Sequence, residues 1–160
     1  MNKYRSHVYV IPEDDRNRQI ADGFVLHDQV NGARIKVVPP AGGWLRVLEM
    51  FREEYVSLLR DYKEAHVVML IDFDGQVKQR NTKFQQEIPE EYKRRVFVVG
   101  SRQDPEGLNR ALNGIGFEKI GESLAAECGA NSAVHWNHEQ LHHNHTERER
   151  LIQTVRPFLF

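Results

Sequence analysis

Apolar runs that stop at polar turns, separated by stretches with helical spacing, set the frame of this 160-residue chain. His7-Val8-Tyr9-Val10-Ile11 stops at Pro12, and Arg34 to Val38 stops at Pro39-Pro40. Val67-Val68-Met69-Leu70-Ile71 runs into Asp72-Phe73-Asp74-Gly75, and Val96-Phe97-Val98-Val99 into Gly100-Ser101. Short uninterrupted apolar runs predict strands covered on both faces, as in a parallel sheet. Between the first two, an acidic start at Glu13-Asp14-Asp15 and a shared face of Ile20, Ala21 and Phe24 predict a helix. The strongest amphipathic pattern begins near Trp44, where Leu45, Leu48, Phe51, Tyr55, Leu58, Leu59 and Tyr62 recur at three- and four-residue spacing. A polar segment from Gly75 to Glu87 predicts a short third helix. The order β-α-β-α-β-α-β predicts an α/β fold, a four-stranded parallel sheet flanked by helices, over residues 1–112. Helices are predicted over 106–113, 117–128 and 132–154, so residues 113–160 read as a helical extension packed on the sheet domain or extending from it.

Composition narrows the function. Lys and Arg number 22 against 23 acids, a net charge of -1, so no overall polyanion-binding signature exists and any such binding is local. The single cysteine, Cys128, excludes an intrachain disulfide framework and fits a reducing compartment. No apolar run reaches the roughly 18 residues of a membrane span. The expected location is cytoplasmic.

The chemistry gathers where the strands end. In a parallel sheet the segments Pro12-Glu13-Asp14-Asp15, Pro39-Pro40-Ala41-Gly42-Gly43, Asp72-Phe73-Asp74-Gly75 and Arg102-Gln103-Asp104-Pro105-Glu106 emerge at one edge, where open α/β sheets bind ligands. Glu13, Asp72 and Asp74 form a hard-oxygen set suited to Mg²⁺ or Mn²⁺, able to activate water against a phosphodiester. Asp104 and Glu106 are candidate additional ligands, although an Asp-Pro helix start also accounts for them. Both carboxylates of Asp72-Phe73-Asp74 can equally cap backbone amides. Gly42 and Gly43 either offer amides to a phosphate or form a tight turn. Arg16 and Arg102, with Arg18, Lys78, Arg80 and Lys83, are the cations available to a nucleic-acid backbone. Five of the eight histidines lie between His135 and His145. On a helix His135, His138, His142 and His145 share a stripe that offers a metal pair at His138 and His142. No Gly-x-Ser-x-Gly elbow and no Gly-x-Gly-x-x-Gly turn is present, which disfavours serine hydrolysis and dinucleotide binding.

Glu13 after the first strand and Asp72-x-Asp74 after the third make the chain resemble the TOPRIM domain, a Rossmann-like catalytic fold of topoisomerases, primases and OLD-type nucleases. The resemblance covers about residues 6–112. It departs from the family at Asp14, where members usually carry glycine, and at Asn17, where OLD-type nucleases often carry an acid. The resemblance implies a Mg²⁺- or Mn²⁺-dependent nuclease acting on DNA or RNA, with Glu13, Asp72 and Asp74 as metal-holding catalytic residues. It also allows a subunit working with a separate ATPase in antiviral defence. The competing expectation is a non-catalytic interaction subunit that binds a partner, or a second copy, through its carboxyl-terminal helix. Trp136, Leu141, Leu151, Ile152, Val155 and Pro157-Phe158-Leu159-Phe160 supply the apolar material for that surface.

Overall fold

A computed structural model describes residues 1–160. Four parallel strands, β1 (His7–Pro12), β2 (Ile35–Val37), β3 (Ala65–Leu70) and β4 (Val96–Val99), lie in the order β2-β1-β3-β4. Val10 stands opposite both Val37 and Val68, and Leu70 opposite both Pro12 and Val99, so all four carboxyl ends finish at one edge. The chain leaves β1 toward one side of the sheet and β3 toward the other. The change of direction falls between β1 and β3, the place where a crevice opens in doubly wound sheets.

Helices cover both faces, as the apolar runs require. On one face Tyr9, Ile11, Val67, Met69 and Ile71 pack against Phe51, Leu59 and Phe84. These last belong to a continuous helix and to α4 (Val77–Glu87); the continuous helix comprises α2 (Trp44–Met50), a π-helical turn over Phe51–Tyr55 and α3 (Val56–Asp61). On the other face Val8, Val10, Val68, Phe97 and Val99 meet Ala21 of α1 (Asp15–Leu26) and Ala125 of α6 (Phe117–Ala130). Val155 and Leu159 join them from the end of α7 (His145–Thr154) and from α8 (Arg156–Leu159). The strict alternation of Val8 and Val10 with Tyr9 and Ile11 is the two-residue period of a strand with two buried faces. The short α5 (Pro105–Ala111) closes a third cluster, formed by Ile20, Leu108, Ile120, Leu124 and Leu141. Residues 113–160 therefore form, together with α1, one of the two layers on the sheet, and Leu141, Val155 and Leu159 are buried in the chain's own core.

Two glycines set how closely α1 and α6 approach. A Cβ at Gly121 would lie 1.8 Å from the carbonyl oxygen of Ile20, and one at Gly23 would lie 2.0 Å from that of Glu118. These obstacles are backbone atoms, so no rotamer change relieves them. Alanine normally stabilises a helix interior relative to glycine. Here the sign is reversed: Gly121→Ala is expected to lower the unfolding free energy by about 1–3 kcal/mol, the usual range for overpacking, as read from a urea titration.

The outer edge of β4 is occupied by side chains. The amide of Val98 donates to Glu147 Oε2 (2.8 Å), that of Gly100 donates to Asn144 Oδ1 (3.1 Å), and Arg150 donates to the carbonyl of Val96 (3.3 Å). Asn144 Nδ2 also donates to the Gly100 carbonyl (2.9 Å). Positions 144, 147 and 150 recur every third residue along one face at α7, in phase with the alternate outward-facing groups of the strand.

The long helix expected over 132–154 does not form. Asn131 takes a left-handed conformation (φ 57°) and ends α6, as asparagine often does at this position. The buried carboxylate of Glu127 then accepts hydrogen bonds from the amides of His135 and Trp136 and from His135 Nδ1. That clamp folds residues 132–141 into turns before helix resumes at His145.

Candidate acidic site at the sheet edge

Glu13 extends β1 by one more ladder bond, its amide donating to Leu70 O (2.9 Å). Its side chain crosses to the neighbouring strand, where Oε2 accepts the amide of Asp72 (2.6 Å). Asp72 follows the end of β3, and its Oδ1 accepts from Asn17 Nδ2 (2.9 Å). Asn17 is held in turn by Asp14, which caps α1 by accepting both the Asn17 amide (2.9 Å) and its Nδ2 (3.1 Å) through Oδ1. Asp14 and Asn17, the two departures from the family pattern, are thus coupled to each other and to Asp72.

Asp74 sits in the left-handed region (φ 49°), followed by Gly75 (φ 75°), and this turn points Phe73 into the core. The Asp74 amide donates to Gln103 O (3.1 Å) and that of Gly75 to Arg102 O (2.8 Å), tying the acidic turn to the segment after β4. Arg80 of α4 is buried beneath it. Its Nη1 donates to the Asp72 carbonyl and to Asp74 Oδ2, both at 2.7 Å, and its guanidinium lies 4.4 Å from the centre of the Trp44 ring.

Burial dominates the electrostatics. It pushes the Asp72 carboxyl up to about 7, against the opposing Asn17 hydrogen bond, and Glu13, Asp14 and Asp74 raise it further. Burial also raises Glu13, with the Asp72 amide opposing and Asp14 and Asp74 adding to the rise. Four carboxylates therefore share one edge with a single buried cation. Glu13, Asp72 and Asp74 each engage one carboxylate oxygen within the protein and leave the other open. That donor set is chemically suited to a hard divalent cation. No three His, Cys, Asp or Glu side chains stand together closely enough to hold a metal ion. With Asp74 turned onto Arg80, gathering three carboxylates about one ion requires a side-chain movement.

The remaining candidates fall elsewhere. Asp104 caps α5 by accepting the Gly107 amide (2.6 Å), and Glu106 pairs with Arg16 Nε (2.5 Å), so both have structural partners. The amides of Gly42 and Gly43 both donate to the carbonyl of Glu13 (2.9 and 3.2 Å). Both amides are thus taken up within the protein, and the loop folds back onto β1. Arg16 is half-exposed beside Asp14. Arg102 donates to His142 Nε2 (3.1 Å).

The histidine stripe disappears with the helix that was to carry it. His135 serves Glu127, His138 accepts from the Gln140 amide, His142 meets Arg102 and His145 meets Glu149. His143 donates to the Gly100 carbonyl (2.8 Å) with its ring against Phe73, and burial pushes it down to about 4.

No helix is long and apolar enough to cross a membrane. In comparisons with known proteins, no family model, no curated protein and no solved structure matches this chain.

Proposed function

We propose that the edge formed by Glu13, Asp72 and Asp74 is the site of a Mg²⁺- or Mn²⁺-dependent phosphodiesterase acting on nucleic acid. One observation carries this reading: Asp72 is buried among three other carboxylates, at the point where the sheet changes direction, and its carboxyl is held near neutrality. A protein that keeps such a cluster carries an electrostatic cost that a divalent cation would remove. Glu13, Asp72 and Asp74 would hold the ion through their open oxygens, with Asp74 released from Arg80. The ion would supply an activated water and neutralise charge on the phosphodiester. Arg16, half-exposed beside Asp14, would contact a backbone phosphate on leaving its pair with Glu106, and Glu13 is the alternative general base. Membership of the TOPRIM family, a cytoplasmic location and a partner ATPase in a defence complex belong to this same proposal.

A second reading, a non-catalytic interaction subunit, draws support from the Asp74–Arg80 pair, which gives the most exposed of the three acids an internal counter-ion.

Titration of Mg²⁺ and Mn²⁺ into the wild type and the Asp72→Asn/Asp74→Asn variant, with plasmid and single-stranded RNA cleavage on the same samples, separates the two. Saturable metal binding with cleavage, both lost in the variant, is the expected result. A folded wild type that neither binds metal nor cleaves either substrate would leave the interaction subunit.

A further inference from the structure

An apolar cavity lies away from the acidic edge, inside the layer formed by α1, α6, α7 and α8 against the sheet. It has a volume of about 130 Å³ and is partly open to solvent. Val10, Val68, Ala21, Leu124, Leu151 and Leu159 are among its walls. Of all the residues that line it, only Arg148 and Arg156 are not hydrophobic, and no acid is among them. An apolar cavity of about 150 Å³ engineered in another protein is large enough to bind benzene. This space therefore accommodates a short hydrocarbon.

The two arginines give the cavity a polarity. Arg156 donates to Gly129 O (3.0 Å), in the last turn of α6, and Arg148 to Ser132 O, just beyond that helix. Neither forms an ion pair, whereas Arg150, two residues from Arg148, pairs with Glu147. Arg148 lies 5.5 Å from the centre of the Trp136 ring, and its Nε is buried without any hydrogen-bond partner. A guanidinium nitrogen left unpaired beside an apolar cavity costs free energy that a carboxylate would recover.

We infer that this cavity binds an aliphatic monocarboxylate, a short- to medium-chain fatty acid whose chain lies among the valines and leucines and whose carboxylate meets Arg148 and Arg156. The site is independent of the acidic edge and of its proposed chemistry.

Calorimetric titration of the full chain with sodium octanoate, sodium acetate and octan-1-ol tests it. Octanoate is expected to bind saturably at one site, acetate not at all, and octanol more weakly than octanoate. Shortening the acid is expected to weaken binding by about fourfold per methylene removed, as apolar transfer predicts. Arg148→Gln/Arg156→Gln is expected to weaken octanoate by at least about tenfold, the scale of a charged hydrogen bond, and to leave octanol unchanged. Retained octanol binding in that variant reports that it still folds around an intact cavity. Ile152→Trp, on the half-buried wall contributed by α7, is expected to abolish both. Absence of saturable octanoate binding to the wild type overturns the inference, as does octanoate binding that the arginine variant leaves unchanged.

Discussion

Asp72→Asn is expected to abolish metal-dependent cleavage while making the chain more resistant to urea above pH 7. The two effects have one origin. Burial among Glu13, Asp14 and Asp74 lifts the Asp72 carboxyl from its ordinary value near 4 to about 7. A carboxyl raised on folding binds its proton more tightly in the folded than in the unfolded chain. Its contribution therefore favours folding at low pH, is lost between about pH 4 and pH 7, and stays lost above. At about 1.4 kcal/mol per pKa unit the difference is on the order of 4 kcal/mol. Asparagine accepts the same hydrogen bond from Asn17 and carries no charge, so the variant lacks that decline. Urea titrations of the two proteins should converge near pH 4 and diverge most at pH 8. Mg²⁺ at pH 8 should stabilise the wild type alone, by binding the folded state. On the proposal that Asp72 holds the ion directly, its loss should reduce cleavage by at least about a hundredfold, the upper end of what removing mere supporting partners of a ligand costs. Parallel stability profiles for the two proteins would show that Asp72 is not held near neutrality by its neighbours.

Arg80→Ala is expected to destabilise the chain by about 2–4 kcal/mol, the scale of a lost charged hydrogen bond together with a lost cation–π contact. Three losses coincide: the hydrogen bond to the Asp72 carbonyl, the pair with Asp74, and the contact with the Trp44 ring. The exposed half of Asp74 softens the second, since solvent screens it, but the carbonyl and the ring are left without a partner. Arg80→Lys should recover only part, because an ammonium cannot lie flat on the indole while its nitrogens reach two acceptors. Urea unfolding at pH 7 measures both variants. A loss below about 0.5 kcal/mol, the level of an ordinary surface change, would mean that Arg80 does not hold the acidic turn.

The parts of this fold that the sequence displays are those written in long apolar runs. Strands buried on two faces need apolar residues at every position, so β1, β3 and β4 were readable, and with them the edge bearing Glu13, Asp72 and Asp74. Arg80 was harder to separate from the other cations around it, yet Val77, Arg80 and Phe84 share one helical stripe, which marks Arg80 as inward-facing. The segment 132–141 has a histidine spacing that fits a helix, yet it folds into turns. What prevents the helix is distant in sequence: Glu127 collects the amides of His135 and Trp136, and one asparagine turns left-handed at 131. Which carbonyl the amides of Gly42 and Gly43 satisfy depends on how closely their loop returns to Glu13, a distance that no local pattern records. The apolar residues near the carboxyl end were legible as a surface seeking a partner, and that partner is the chain's own sheet.

The side chains of Asn144, Glu147 and Arg150 have a consequence for self-association. An unprotected strand edge is a template on which further chains can polymerise. Along β4 the template is already read by α7, and at the opposite margin β2 offers only three residues. Cleavage ahead of His145 would thus do more than thin the core, because it would uncap Val96–Val99, a strand with no charge among its four residues. Such a truncated chain is expected to scatter light and bind a fibril dye at concentrations where the intact chain does neither.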